Sequence, residues 1–399
     1  MHILMIAPEP FFEPRGTPFS EFHRIRALTS LGHTVDLVTY PFGRDVQLPG
    51  LRIFRCLRPP FIRHVKIGPS LAKAPLDLSL AVTALRRAMT TKYDAVHSHE
   101  EGGAIGVILA ALLRVPHLYD MHSSLPQQVA NFGYSSLPGL KGILGWIERV
   151  MIKRSRVVIV ICEDLKLTVR DIDPAVPSVL IENAPGSGNA PTAGTGAAIR
   201  TALKLSPETP VVLYTGTFEH YQGLDLLYAA MQRVVKARPE TKLVLVGGEP
   251  AQVESARKEI AGLGLSDAVV LTGQRPAEEI PAYLDAATVL VSPRSTGTNT
   301  PLKIYQYLRS GRPIVATNLR THTQVLAEDT AFLAEPTADG FAATILAALN
   351  DPARASAIGA HARQLAETKY SDAAFIAKTS QAVDLLFGGA PVTVTRGVA

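Results

Sequence analysis

The feature that most constrains this chain is a rhythm of short apolar segments and helix-period stretches that runs, stops and then restarts. "HILMIAP", "TVDLVTY", "RIFRC", "DAVHSH", "PHLYDMH", "VVIVIC" and "SVLIEN" read as strands in the first half. Helix-period stretches lie between several of them, including Pro18 to Leu31, Leu76 to Met89 and Leu137 to Lys153. Parallel strands need long crossovers, usually helical, so this alternation predicts α/β architecture with helices on both faces of a parallel sheet. From Ala184 to Ala198 the composition changes to "APGSGNAPTAGTGAA", which has no bulky apolar residue and reads as a linker. The rhythm restarts with "VVLYTG", "KLVLVGG", "AVVLTG", "TVLVSP", "PIVAT" and "TAFLAE". Two doubly wound domains are expected, at 1–185 and 206–372, joined by a linker at 186–205. A last helix at 373–388 either stays in the second domain or crosses back to the first, and 389–399 reads as a loose tail.

The chain of 399 residues is too long for one ordinary domain. A net charge of +5 is too mild to suggest nucleic-acid binding. Cys56 and Cys162 form no CxxC, which argues against a disulfide framework or structural zinc and fits a reducing cytosol. The N-terminus lacks the basic start and apolar run of a signal peptide. "AIGVILAALL", the longest apolar run, is about half a membrane span and reads as a buried helix.

In doubly wound domains ligands gather just past the carboxyl ends of the strands. There the stretch "TNTPLKIYQYLRSGRPIVAT", Thr298 to Thr317, reads as a polar loop feeding a helix and then a buried strand. Pro301 suits the first helical turn and Gly311 the C-terminal cap. A helix N-terminus favours anions, so Lys303 in the first turn makes most sense beside a bound anion; the alternative is a solvated side chain.

The order "YTGTFEHYQGLDLLYAA", "KLVLVGG", "LTGQ", "AYLDAATVLVSPR", "TPLKIYQYLRSGRPIVAT" resembles the GT-B glycosyltransferases, in particular the retaining family 4. The resemblance covers nearly the whole chain. It implies two Rossmann-like domains facing a central cleft, with a nucleoside-diphosphate sugar held by the second domain and the acceptor by the first. It further implies a hexosyltransferase of cell-envelope or polysaccharide biosynthesis, using a UDP- or GDP-sugar without metal or other cofactor. Backbone N–H groups of Thr298, Asn299, Thr300 and Leu302, with the Lys303 ammonium, would hold the diphosphate.

The chain departs from the family pattern. The Glu-x7-Glu pair falls on Thr298 and Gln306, and Gln306 retains only hydrogen bonding to ribose. Past the first strand of the second domain, the loop Gly216–Thr217–Gln222 has Thr217 and Gln222 where an Arg and a Lys are usual. Two missing cations would remove several kcal/mol of charge-assisted contact, and Lys303, Arg294 and Arg275 are the candidate substitutes. The "TFEHYQG" and "TPLK" features are similar to a divergent branch of the family.

In the first domain "PRGTPFSEFHRIRALTSLGHTV" matches the family's first loop and helix, which places Gly16 and Thr17 near donor or acceptor; an ordinary turn is the alternative for Gly16. His122 falls where relatives set a histidine against the donor sugar, and with Lys303 it is the candidate catalytic residue. His99, Glu100 and Glu101 follow another strand, where acceptor contact and capping of the next helix are equal readings. Asp120 either orients His122 or binds a nearby N–H. The family has no agreed carboxylate nucleophile and is thought to use front-face attack, so Glu219, Asp120 and Glu100 are not assigned that role. Two other readings remain, a non-catalytic sugar-nucleotide-binding subunit and an epimerase of the same fold. A dinucleotide oxidoreductase is disfavoured, because neither first strand runs into GxGxxG.

Basic and apolar residues cluster in "RIFRCLRPPFIRHVKIG" (Arg52, Arg55, Arg58, Arg63, Lys66) and "LKGILGWIERVMIKRSR" (Lys141, Trp146, Arg149, Lys153, Arg154). Peripheral docking on the inner membrane surface, with a glycan or lipid-linked acceptor, is one reading. Core packing and helix-dipole complementarity are the other for the second cluster.

Overall fold

A computed structural model describes residues 1–12, 16–63, 65, 73–127, 139–182, 194–297 and 299–388. Two compact units are present: Met1–Asn183 with Asp372–Ala399, and Ala184–Ser371. The first contains β1 (His2–Ala7), α1 (Gly16–Ser30), β2 (Thr34–Thr39), β3 (Leu51–Arg55), α2 (Ala74–Thr90), β4 (Ala95–His99) and α3 (Gly102–Leu113). It continues with β5 (His117–Met121), α4 (Leu140–Arg154), β6 (Val157–Val160), α5 (Glu163–Ile172) and β7 (Ser178–Leu180). All seven strands are parallel, in the order β3-β2-β1-β4-β5-β6-β7.

Residues along β1 alternate between two cores, as a strand covered on both faces requires. Leu4 and Ile6 pack with Leu76, Leu80 and Ala84 of α2. Ile3 and Met5 pack instead with Ile25 and Leu28 of α1.

The second unit begins with α6 (Gly196–Ala202), then β8 (Val211–Thr215), α7 (Leu224–Ala237), β9 (Lys242–Val246), α8 (Pro250–Gly262), β10 (Val269–Gly273) and α9 (Ile280–Ala286). After these come β11 (Val289–Ser292), α10 (Lys303–Ser310), β12 (Ile314–Thr317), α11 (Arg320–Thr323), β13 (Phe332–Ala334), α12 (Ala338–Asn350) and α13 (Pro352–Lys369). Its parallel sheet runs β10-β9-β8-β11-β12-β13.

Part of the expected linker is helix. Residues 184–193 lie outside the described residues, but α6 packs on α9, with the Gly196 N–H donating to Asp285 Oδ2 at 2.8 Å. A Cβ on Gly196 would lie 2.4 Å from the Ala286 nitrogen, so the glycine marks a close approach rather than flexibility. Ile199, Leu203 and Leu205 anchor the segment on the second core.

The final helix α14 (Asp372–Leu386) belongs to the first unit. Its Ala382, Val383 and Leu386 enter the cores beneath the first sheet. Asp372 pairs with Arg26 at 3.0 Å, and Lys378 pairs with Glu182. The tail at 389–399 lies outside the described residues.

Candidate functional site

Each sheet reverses its strand order once, between β1 and β4 in the first unit and between β8 and β11 in the second. Loops leaving two such strands diverge to opposite faces and open a crevice at their carboxyl ends. Most of the expected site residues lie at these two reversals.

In the second unit β8 ends at Thr215 and turns through Gly216, whose φ of 140° lies in glycine territory. A Cβ there would meet Lys303 Nζ at 3.1 Å and the Tyr214 hydroxyl at 3.1 Å. Lys303 is buried, with Nζ 3.7 Å from the Tyr214 ring centroid and donating to Gln222 Oε1 at 3.1 Å. The Tyr214 hydroxyl in turn donates to the Thr217 carbonyl at 2.7 Å. Thr217 itself is exposed, whereas Gln222 is buried.

Arg294, two residues past β11, organises the loop into α10. Its Nε donates to the Thr296 carbonyl at 2.9 Å and its Nη1 to the Asn299 carbonyl at 2.8 Å, while the guanidinium stacks over Tyr221. Thr321 Oγ1 also donates to the Asn299 carbonyl, at 2.7 Å. Thr300 Oγ1 is buried without a hydrogen-bond partner. Burial, then the positive charge of Arg294, push the Lys303 ammonium well below the ordinary lysine range. Among the described residues no carboxylate pairs with Lys303 or Arg294, so two cations converge without a counter-charge.

Other expectations need adjustment. α10 begins at Lys303 with Leu302 as N-cap, so Pro301 precedes the helix rather than occupying its first turn. Gly311 does cap the other end, at φ 69°. Gln306 lies one turn beyond Lys303 and is half-buried. Thr298 lies outside the described residues. Arg275 follows the edge strand β10, separated from β8 by β9, and is exposed, so it is not gathered with the other cations. Glu219 is exposed and accepts from Gln252 Nε2 at 2.9 Å.

In the first unit the reversal gathers a buried polar cluster. Asp120 lies at its centre: Arg24 Nε donates to its Oδ2 at 2.9 Å and His122 Nε2 sits 3.2 Å from its Oδ1. Arg24 also donates to Thr379 Oγ1 of α14 at 2.9 Å and lies over the Phe375 ring. Burial raises the Asp120 carboxyl, but the charges of Arg24 and His122 outweigh it and hold the group well below the usual range. Burial likewise opposes protonation of His122, yet Asp120 and Glu100 keep its pKa above the ordinary histidine value. His99 Nδ1 lies 3.3 Å from His122 Nε2, and burial first of all depresses its pKa.

Glu100 is buried at a φ of 46°, an uncommon conformation for a residue with a side chain. It accepts from Ser123 Oγ at 2.9 Å, and burial pushes its carboxyl up to about 7. The Glu101 side chain does not cap the following helix. The N-cap of α3 is Glu101, which makes no side-chain cap bond and instead pairs with Lys73 at 2.9 Å. Gly16 and Thr17 open α1 immediately after the β1 loop, and the Thr17 side chain lies outside the described residues.

Sequence reading missed Glu9, Glu21, Arg24, His97 and Tyr214. Glu9 follows β1, the strand at the reversal, and that position was the available signal. Burial first, then neighbouring carboxylates, push Glu9 and Glu21 well above the carboxylate range. His97, His99 and Asp120 bring one possible ligand atom each within 4.8 Å of one another. Arg24 already holds Asp120 Oδ2, so a metal cation there would face a guanidinium.

Comparison with known proteins agrees with this layout. A family model described as "Glycosyl transferase 4-like domain" matches residues 23–184, and one described as "Glycosyl transferases group 1" matches 209–351. The D-inositol 3-phosphate glycosyltransferase of Acidothermus cellulolyticus is 27% identical over 310 residues, covering 73% of this chain and 68% of that protein. Among solved structures, sucrose-phosphate synthase of Thermosynechococcus elongatus superposes with a TM-score of 0.78 at 22% identity, covering 98% of this chain and 100% of the other. HepE of Anabaena, solved with UDP, gives 0.75 at 17% identity, covering 96% and 100%.

Proposed function

Because this chain belongs to the group 1 glycosyltransferases and has the GT-B fold, we propose that it transfers a sugar from a nucleoside-diphosphate sugar to a glycan or lipid-linked acceptor, with retention of configuration. The observation that carries this reading is the convergence of Lys303 and Arg294 without a carboxylate at the β8/β11 reversal. Two unpaired cations, one buried and the other half-buried, leave a deficit of negative charge that a diphosphate removes. The donor in this reading is a UDP- or a GDP-sugar.

In this reading Lys303 and Arg294 hold the diphosphate and neutralise charge as it leaves. Gln222 fixes Lys303, and Gln306 with the orphaned Thr300 hydroxyl takes up ribose or phosphate oxygens. His122, protonated against Asp120, donates to a sugar hydroxyl. Glu100, with its raised pKa, accepts a hydrogen bond from the acceptor or donates one to it. The departing phosphate receives the acceptor's proton, so neither a carboxylate nucleophile nor a metal is required. Work in the cytoplasm, on a glycan or lipid-linked substrate, fits these roles.

The test is release of nucleoside diphosphate from a panel of UDP-, GDP- and dTDP-sugars, with and without membrane lipid extract. Turnover with a product anomer matching the donor supports the reading. Binding of no nucleotide sinks it, and an inverted anomer removes the retaining assignment.

A further inference from the structure

We propose that the outer face of α2, α3 and α4 is a docking surface for an anionic phospholipid bilayer, a partner that the donor reading does not require. α2 buries Leu76, Leu80, Ala84 and Ala88 against the first sheet. Its outward side is also apolar: Leu78 is 68% exposed, Val82 60% and Met89 76%. The exposed face of α2 thus carries large apolar side chains beside Arg86. α3, "GGAIGVILAALL", has no charged residue and presents Ile108 and Leu112 outward, one turn apart. α4 adds Ile143 and Trp146.

These patches adjoin, because α3 packs against both α2 and α4. The segment after β3, with exposed Leu57 and Phe61, is tied to α2 by Ser79 Oγ, which donates to the Leu57 carbonyl at 2.9 Å. Among the described residues only Met1, Tyr221 and Leu385 are large hydrophobics exposed elsewhere. Scattered surface hydrophobics are ordinary, but this concentration on one layer is not.

Charge identifies the occupant. The exposed charged residues of the three helices are Arg86, Lys141, Arg149, Lys153 and Arg154, all cationic. Their acids are turned inward: Asp77 accepts from the Tyr40 hydroxyl, and buried Glu148 accepts from the Leu125 N–H at 2.7 Å. Two copies meeting through this face would oppose like charges, whereas anionic headgroups complement it while the acyl boundary takes the apolar side chains. The basic cluster expected after β3 contributes less, since Arg52 is held by Asp36 and Arg55 by Asp45, and Lys66 lies outside the described residues. Among the described residues no helix is long and apolar enough to cross a membrane, so contact through this face is peripheral.

Trp146 is the only tryptophan of the chain and lies in the patch, so it reports docking directly. The full chain is mixed with vesicles of phosphatidylcholine alone, or of phosphatidylcholine with phosphatidylglycerol, and followed by co-sedimentation and tryptophan emission. Co-sedimentation with the anionic vesicles, a blue shift, and weakening by salt are expected. The exposed-site variant Leu78→Ser/Val82→Ser/Met89→Ser, checked for an unchanged melting profile, loses binding by about tenfold, and Arg149→Glu/Lys153→Glu removes its salt dependence. Absence of co-sedimentation, equal binding to both vesicle types, or a lipid-independent blue shift that grows with protein concentration overturns the inference. The last result marks self-association instead. Nucleoside-diphosphate affinity of the same preparation, measured without lipid, reports the donor reading separately.

Discussion

Lys303 Nζ lies 3.1 Å from Gln222 Oε1. The position that in this family's pattern carries a lysine thus serves as the acceptor for a lysine supplied by α10. In this chain the lysine of the cradle is supplied by α10 and held by the glutamine of the β8 loop. Because a buried ammonium without a carboxylate is costly to the folded protein, the arrangement makes best sense with an anion present.

Lys303→Met keeps the volume and removes the charge. Affinity for the free nucleoside diphosphate is expected to fall at least tenfold, about 1.4 kcal/mol or more. Thermal stability of the unliganded protein is expected to hold or rise, since the lost group is a desolvated cation. Calorimetric titration and a melting curve read the two effects apart; unchanged affinity refutes the role.

Nucleotide binding is expected to take up protons. Burial and Arg294 depress the pKa of Lys303 in the free protein, and an arriving diphosphate raises it again. Between those two values the bound state holds more protons, so affinity falls as pH rises through the window. Titration in buffers of different ionisation enthalpy measures the uptake, which Lys303→Met abolishes.

Gly216→Val is expected to damage the cradle locally. A Cβ meets Lys303 Nζ and the Tyr214 hydroxyl at 3.1 Å each, and a φ of 140° is hostile to a branched side chain. A stability loss of about 1–3 kcal/mol by denaturant melting should accompany weakened nucleotide binding.

Asp120→Asn leaves Arg24 buried without its counter-charge, at a cost of about 3–5 kcal/mol. The wild-type advantage has two edges. Asp120, with its depressed pKa, contributes above the unfolded carboxyl value of about 3.9 and loses that contribution as pH falls through the folded value. His122, with its raised pKa, contributes fully below about 6.5 and loses it as pH rises through the folded value. The gap between wild-type and variant denaturant midpoints should therefore narrow at both ends of a pH series.

Glu21→Gln is expected to act in the opposite sense. Its carboxyl is buried and its pKa is raised by desolvation, then by Asp120, so the folded state holds a proton that the unfolded chain releases above about 4.3. Wild-type stability drains away as pH rises through the folded value, and the neutral amide avoids that loss. Melting curves of the two proteins should diverge toward alkaline pH, with the variant more stable.

Much of the fold was legible because parallel strands covered on both faces are near-continuous apolar runs, as "VVIVIC" and the "LVLV" of "KLVLVGG" are. The switch-point loops could be found for the same reason, since position relative to strand ends follows from counting. α6 was missed because Gly196 looks like flexibility in sequence, and its actual cause, the nearby Ala286 backbone, is remote in the chain. Arg24, the buried partner of Asp120 on α1, was missed as well. Arg24 and Thr379 stand 355 residues apart and meet only because α14 packs on the first unit.

Taken alone, the sequence determined the two-sheet architecture, the loops that carry polar chemistry and the loss of the family's usual charges, since all three are local in residue type and order. Tertiary structure decided which surviving cations converge, which carboxylates are buried and which helix face stays uncovered. Those properties depend on distances between segments and on exclusion of water. Coulomb energy and desolvation act through space, and residue order does not encode them until the chain has folded.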